Sequence, residues 1–317
     1  MRIEGQVPDQ AELAKQVLSW ITYAYRPLTT LELQHALAVE ENSSELDEDN
    51  LPDIEDLIRV CVGLVRVDEE SEVIRLVHYT TQEYFQRTKN QWFPNADLEI
   101  TTVCATYLSF DTFKNGFCQT GSEFRERLQK NKLYDYAAKN WGHHAQANAA
   151  SCQTVIEFLK KQGQVEASSE ALLSGGHMFP YGLNIHHPPR KVTGLHLVGY
   201  FGIDDGVPHL IEKYGPHPKD GNGQTPLSWA AHEGHETVAK LLLKNGADAN
   251  LKDRSGSTSL FWAVYKKHEA IIKLLLESGA GVIKGDNYGT SPLFWSVYRK
   301  NEALATARER CRQFYER

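Results

Sequence analysis

Apolar positions in AELAKQVLSWITYAYRPLTTLELQHALAVE, residues 11–40, recur at helical spacing. Leu13, Val17, Trp20, Ile21 and Ala24 line one face of a first helix. Arg26-Pro27 ends it, because the residue before a proline is pushed out of the helical region. Thr29 or Thr30 caps a second helix with Leu31, Ala36 and Leu37 inward. EENSSELDEDN then holds six acids in eleven residues and no aromatic side chain, the composition of a solvated loop. DIEDLIRVCVG predicts a third helix ending at Gly63. LVRVDEESEVIRLVH predicts two short strands around an acidic turn, and YTTQEYFQR a closing helix.

Helical patterning continues through residues 97–175, in ATYLSFDTF and LYDYAAKNWGHHAQ. Leu133, Ala137 and Trp141 are four apart, so they share one helix face, and core packing is the expected role. The adjacent His143 and His144 are expected to be structural or exposed. GGHMFPYGLNIHHPPRKV, rich in glycine, proline and histidine, is a join.

Beyond the join the pattern repeats every 33 residues from Gly223, Gly256 and Gly289. Leu227, Leu260 and Leu293 fall in register, as do Trp229, Trp262 and Trp295. A fainter copy starts at Thr193 with an offset of 32. Such a period means that each unit buries a face only by stacking on its neighbour. Each unit reads as turn, helix, helix, turn. In the first full copy Thr225 caps and Pro226 opens the first helix. Gly234 interrupts it, Val238, Leu241 and Leu242 line the second, and Gly246 follows its end. In the last copy Ala307, Arg308 and Glu309 replace the leucines of the second helix, so it is either a polar end cap or the start of a longer array.

One stretch of the first copy invites a metal reading: His232, Glu233, His235 and Glu236. A zinc-protease helix sets two histidines four apart; these are three apart with Gly234 between, and no C-x-x-C supplies further ligands. No metal and no cofactor are therefore expected.

The repeat resembles the ankyrin pattern T-P-L-H-x-A-A, G-H, L-L, G-A-D-x-N, most specifically over residues 223–283. His235 stands at the G-H position, where it helps set the turn between the helices. The T-P-L-H histidine survives as His196 and is Ser228, Phe261 and Phe294 elsewhere. Residues 10–90 resemble the small winged-helix module that follows the NACHT domain in fungal signalling proteins, a module labelled by its occurrence in GPI inositol-deacylases. Trp20, Arg26-Pro27-Leu28, His78 and Tyr84-Phe85 carry that likeness. The expected fold is mostly α: a winged helix at 10–92, a helical spacer at 93–175, a linker at 176–190 and about four ankyrin repeats at 191–317.

Composition narrows the function. The 317 residues carry a net charge of −7, unevenly placed. Residues 1–95 hold 8 Lys plus Arg against 18 Asp plus Glu; the remainder hold 26 against 23. An acidic N-terminal portion argues against nucleic acid. The alternative reading, a winged-helix DNA-binding regulator, would have to use DIEDLIRVCVG, which offers Arg59 among acids. No apolar run is long enough to span a membrane, and MRIEGQVPDQAEL has no signal-peptide core. Five cysteines, none in C-x-x-C spacing, fit reduced thiols in the cytoplasm, with Cys61 and Cys104 in the core. There is no G-x-x-x-x-G-K-[ST] to hold a triphosphate and no G-x-S-x-G nucleophile elbow, so the deacylase label implies no activity.

The resemblance implies a non-catalytic scaffold, the regulatory and ligand-recognition part of a NACHT-type signalling protein, expected to be the C-terminal part of a larger architecture. Its partners would be a protein or peptide in the ankyrin groove and an upstream NACHT domain. That groove should present Asn222, Gln224, His232 and Glu233 from one unit. Arg254, Ser257, Tyr265 and Lys266 come from the next, and Asn287, Tyr288, Tyr298 and Arg299 from the last. Tyr265, Tyr298 and Arg299 are the expected anchors, since tyrosine and arginine dominate binding hot spots.

Overall fold

The computed structural model describes residues 3–148, 153–174, 190–283, 285–287, 289–292 and 294. The chain divides into two compact units, residues 1–158 and 159–317.

The first unit opens with α1 (Pro8–Tyr23) and α2 (Thr30–Leu37). Thr29 caps α2 reciprocally: its Oγ1 accepts the Glu32 N–H at 3.2 Å, and the Glu32 carboxylate accepts the Thr29 N–H at 2.8 Å. Arg26 forks onto the same carboxylate at 2.9 and 2.6 Å, which locks the Arg26-Pro27 turn. Leu31 is not inward. It is 39% exposed while Leu33 is fully buried, because Thr30, Leu33 and Ala36 share the core-facing side of this short helix.

After α3 (Ile54–Val60), Val62 and Gly63 turn the chain with positive φ into β1 (Val65–Val67), which pairs antiparallel with β2 (Ile74–Leu76). The hairpin is tied back to the α1–α2 turn, where Thr30 N–H donates to Glu72 O and Ile74 N–H to Leu28 O. Then follow α4 (Tyr79–Trp92), which buries Phe85, and α5 (Ala96–Leu108), α6 (Gly121–Lys130) and α7 (Tyr134–Asn148). Three helices, a hairpin and a closing helix make the expected winged helix. Leu133, Ala137 and Trp141 are fully buried, as their spacing predicts. Cys61 and Cys104 are likewise in the core.

His144 takes the structural of its two expected roles. It is fully buried, with Nδ1 2.9 Å from Asp97 on α5 and Nε2 2.9 Å from the Tyr136 hydroxyl. The Tyr25 N–H donates to that hydroxyl at 3.3 Å. The carboxylate fixes the tautomer: Nδ1–H donates to Asp97 and Nε2 accepts from Tyr136. Burial lowers the His144 pKa, against the Asp97 hydrogen bond and charge.

The break between units falls inside α8 (Gln153–Lys160), ahead of the linker expected at 176–190. The reason is packing: the end of α8 and α9 (Gln162–Leu173) lie against the first helix pair, α10 (Gly194–Phe201) and α11 (Val207–Tyr214). A Cβ at Gly194 would stand 2.2 Å from the Leu159 carbonyl oxygen. Two further pairs follow, α12 (Pro226–Glu233) with α13 (Glu236–Lys244), and α14 (Ser259–Lys266) with α15 (Glu269–Glu277). The first helices α10, α12 and α14 stack on one another, as do the second. Residues 176–189, most of the expected linker, and the final copy from Trp295 onward lie outside the described residues.

Gly202 and Gly234 end α10 and α12 at φ 74° and 91°, whereas Lys267 holds that place after α14 at φ 66°. A Cβ is strained there. Lys267→Gly is expected to stabilise the repeat unit by about 1 kcal/mol and raise its melting temperature by ~3 °C, read by thermal denaturation.

Candidate functional site: the ankyrin-repeat surface

In the three copies that follow the first helix pair, an aspartate organises the hairpin tip. Asp220 Oδ1 accepts the N–H groups of Asn222 and Gln224 at 2.8 and 2.9 Å, and Oδ2 accepts the Trp229 indole N–H at 3.1 Å. Asp253 does the same for Ser255 and Ser257, both at 2.9 Å, and for Trp262 at 3.3 Å. In the third copy Asp286 accepts the Thr290 N–H at 2.8 Å. Burial raises the Asp220 pKa to about 6 against the pull of those N–H donors.

The tips are joined from repeat to repeat. Arg254 N–H donates to Asn222 O at 2.9 Å, and Asn287 N–H to Ser255 O at 2.8 Å. The Asn287 amide also reaches Arg254 O at 2.8 Å, and Lys252 Nζ reaches Gly285 O at 2.8 Å. A continuous, pre-ordered edge results.

Histidines stitch the helices. His196 Nδ1 accepts the Thr193 N–H at 3.1 Å while Nε2–H donates to the Gln224 carbonyl of the next repeat at 3.1 Å. His235 Nε2 reaches Tyr200 O at 2.8 Å, and His268 Nε2 reaches His232 O at 3.0 Å. His235 thus does more than set its own turn; it bonds the preceding repeat. His232 turns elsewhere, to Glu233 at 2.6 Å. The two histidines that suggested a metal motif therefore serve different partners.

His196 makes the stack sensitive to acid. Burial lowers its pKa to about 4, and a second ring proton would face the Thr193 N–H. An unfolded histidine titrates near ~6.5, so the stability held above that pH is lost as pH falls toward 4. Relative to His196→Gln, the wild-type advantage is expected to be about 2 kcal/mol smaller at pH 5 than at pH 7.5. Urea denaturation of both proteins at the two pH values measures it, and charges common to both cancel.

The tryptophans lie between repeats, as expected. Trp229 is fully buried, 5.4 Å from the His196 ring and 6.0 Å from Tyr200, and Trp262 lies 5.4 Å from His232. Trp295 is outside the described residues.

The expected groove residues divide into three groups. Arg254, Lys266 and Asn287 are exposed, and Asn222, Glu233 and Tyr265 are half-buried. Tyr265 stacks on Phe261 with centroids 6.3 Å apart and planes 12° from parallel. Gln224, His232 and Ser257 are instead buried, so they build the surface rather than present it. Gln224 and Ser257 give their N–H groups to the turn aspartates, and the His232 ring is set against Trp262. Tyr288, Tyr298 and Arg299 lie outside the described residues.

Two buried polar atoms on these repeats, Asn222 Nδ2 and His232 Nε2, have no hydrogen-bond partner among the described residues. Burial works to raise the Glu233 pKa, but the His232 hydrogen bond, with the His232, Lys266 and His235 charges, holds it below the usual range. Sequence reasoning missed Asp220, Asp253 and Asp286, although D-x-x-G repeats at 33 residues. It also missed Tyr200, which aligns with His232 and Tyr265 at the end of the first helix.

These features define a chain built of a winged helix and a stack of ankyrin repeats. Family comparison agrees: residues 5–91 match the GPI inositol-deacylase winged-helix domain, and residues 195–286 and 245–307 match ankyrin repeats (3 copies). No curated protein matched the sequence. Ankyrin repeats are non-catalytic interaction modules, and they imply a protein partner.

Proposed function

We propose that this chain is a non-catalytic scaffold whose ankyrin surface binds a protein or peptide, and that it serves as the recognition and regulatory part of a NACHT-type signalling protein in the cytoplasm. The observation carrying the reading is the joined edge of hairpin tips, which holds Arg254 and Asn287 in the open, while Lys266 is exposed and Tyr265 half-buried at the end of α14. A pre-ordered surface loses little entropy on binding. Tyrosine and arginine bury large areas and still offer polar contacts. The winged-helix match supports the signalling context through its resemblance to modules that follow NACHT domains. No described helix is long and apolar enough to cross a membrane.

The DNA-binding alternative has charge against it. Arg59, the one cation of α3, is paired with Asp56 at 2.7 Å and shares the helix with Glu55. Several free cations are needed to neutralise phosphates.

The test is a pull-down from native lysate with Arg254→Glu/Tyr265→Ala/Lys266→Glu against wild type, folding being checked by circular dichroism. Loss of a partner by at least tenfold is expected. A folded triple variant that keeps every partner at full affinity would refute the reading.

A further inference from the structure

A groove of about 590 Å³ opens in the first unit, away from every residue discussed for the repeats. One face of α1 forms a wall, through Glu12, Gln16, Ser19 and Trp20; α5 forms the other, through Leu98, Glu99 and Val103. The end of α2 and the chain after it close the floor, with Glu41 at the edge. Three glutamates thus face the groove, and no lysine or arginine does among the described residues. Glu12 and Glu99 are close enough to repel: burial and the Glu12 charge together hold the Glu99 carboxyl above its usual range.

Acid alone would not make a site. An independent observation points the same way. Ser19 lines the groove, is 4% exposed, and its Oγ has no hydrogen-bond partner among the described residues. A buried hydroxyl left unmade costs about 1–3 kcal/mol unless something fills it. Leu98, on the same groove, is 39% exposed although large and apolar.

We propose that this groove binds a short peptide segment of a partner protein, in which lysine or arginine alternates with aliphatic residues. The glutamates take the cations, the strip of Trp20, Leu98 and Val103 takes the aliphatic side chains, and Ser19 Oγ accepts a peptide N–H or an ammonium. From Glu12 to Trp20 the α1 wall runs about 12 Å at ~1.5 Å per residue, enough for about four extended residues. The apolar strip argues for a peptide over a free polyamine, which brings charge and no side chain to cover that strip.

A random heptapeptide library displayed on phage is selected on the full chain and counter-selected on Glu12→Gln/Glu41→Gln/Glu99→Gln. Peptides that bind the ankyrin surface are discarded, because the variant retains that surface. The surviving clones are expected to be basic and aliphatic. As labelled synthetic peptides they should bind wild type at least tenfold more tightly than the variant by fluorescence anisotropy, and less tightly in high salt. Ser19→Ala should weaken binding severalfold without lowering the melting temperature, since it breaks no bond in the free protein. Leu98→Arg, at an exposed position, should abolish binding and serves if the triple variant folds poorly. Counter-selection that leaves no clone, or leaves clones that are not basic, overturns the proposal. So does full displacement by spermidine with equal dependence on the glutamates, which would make the groove a site for free cations.

Discussion

Trp262→Ala is expected to destabilise the repeat unit by about 3–5 kcal/mol, the range for truncating a large buried aromatic. The indole is 5% exposed and lies against His232, Phe261 and Tyr265, with centroids 5.4, 5.2 and 6.3 Å away. Its N–H is also a donor to Asp253, a carboxylate whose pKa is already raised, chiefly by burial. Removing the ring opens a cavity between two repeats and takes a donor from a half-buried acid. Trp262→Phe separates the two effects: it keeps most of the ring and should cost about 1.5–3 kcal/mol for the charge-assisted bond alone. Urea denaturation followed by circular dichroism measures both. An unchanged midpoint for the alanine variant would mean that the indole does not support the stack.

In the first unit the largest effect should come from His144→Leu, about 3 kcal/mol of destabilisation. The histidine is fully buried, and leucine fills much of the space, so the loss is polar rather than volumetric. It strands the buried Tyr136 hydroxyl without an acceptor and leaves Asp97 without its imidazole donor. Tyr136→Phe supplies the internal check. In the wild-type background it removes a satisfied hydrogen bond and should destabilise by about 1 kcal/mol. In the His144→Leu background the hydroxyl has lost its acceptor and keeps only the long bond from the Tyr25 N–H, so the same change should cost clearly less than in the wild type. Equal costs in both backgrounds would show that the two side chains do not act as a unit.

Much of the fold was legible because it rests on local chemistry. The ending of α1 at Tyr23, just ahead of Arg26-Pro27, the Thr29 cap and the turn at Gly63 each follow from the stereochemistry of a few adjacent residues. The 33-residue period identified the ankyrin stack and the inter-repeat position of Trp229 and Trp262, because each unit must bury the same face in the same way. The winged helix followed from the order of its elements.

Other features depended on which groups meet in space. Leu31 was read as inward because apolar residues usually are, but the eight residues of α2 offer one buried side and Leu33 occupies it. Gln224 and Ser257 were expected to be presented by the groove; they are buried, and their N–H groups are drawn onto turn aspartates at the hairpin tip. His232 looked exposed because polar neighbours surround it in sequence, yet the indole of the next repeat covers its ring. The Asp97–His144 bond and the facing of Glu12 and Glu99 across the groove bring together residues 47 and 87 positions apart, beyond the reach of any periodicity. The sequence by itself determined the helices, their caps, the repeat and the two architectures, since those are set within one turn or one period. Only the tertiary structure decided which polar side chains are buried partners and which are left open to a ligand, because burial depends on what the neighbouring element covers.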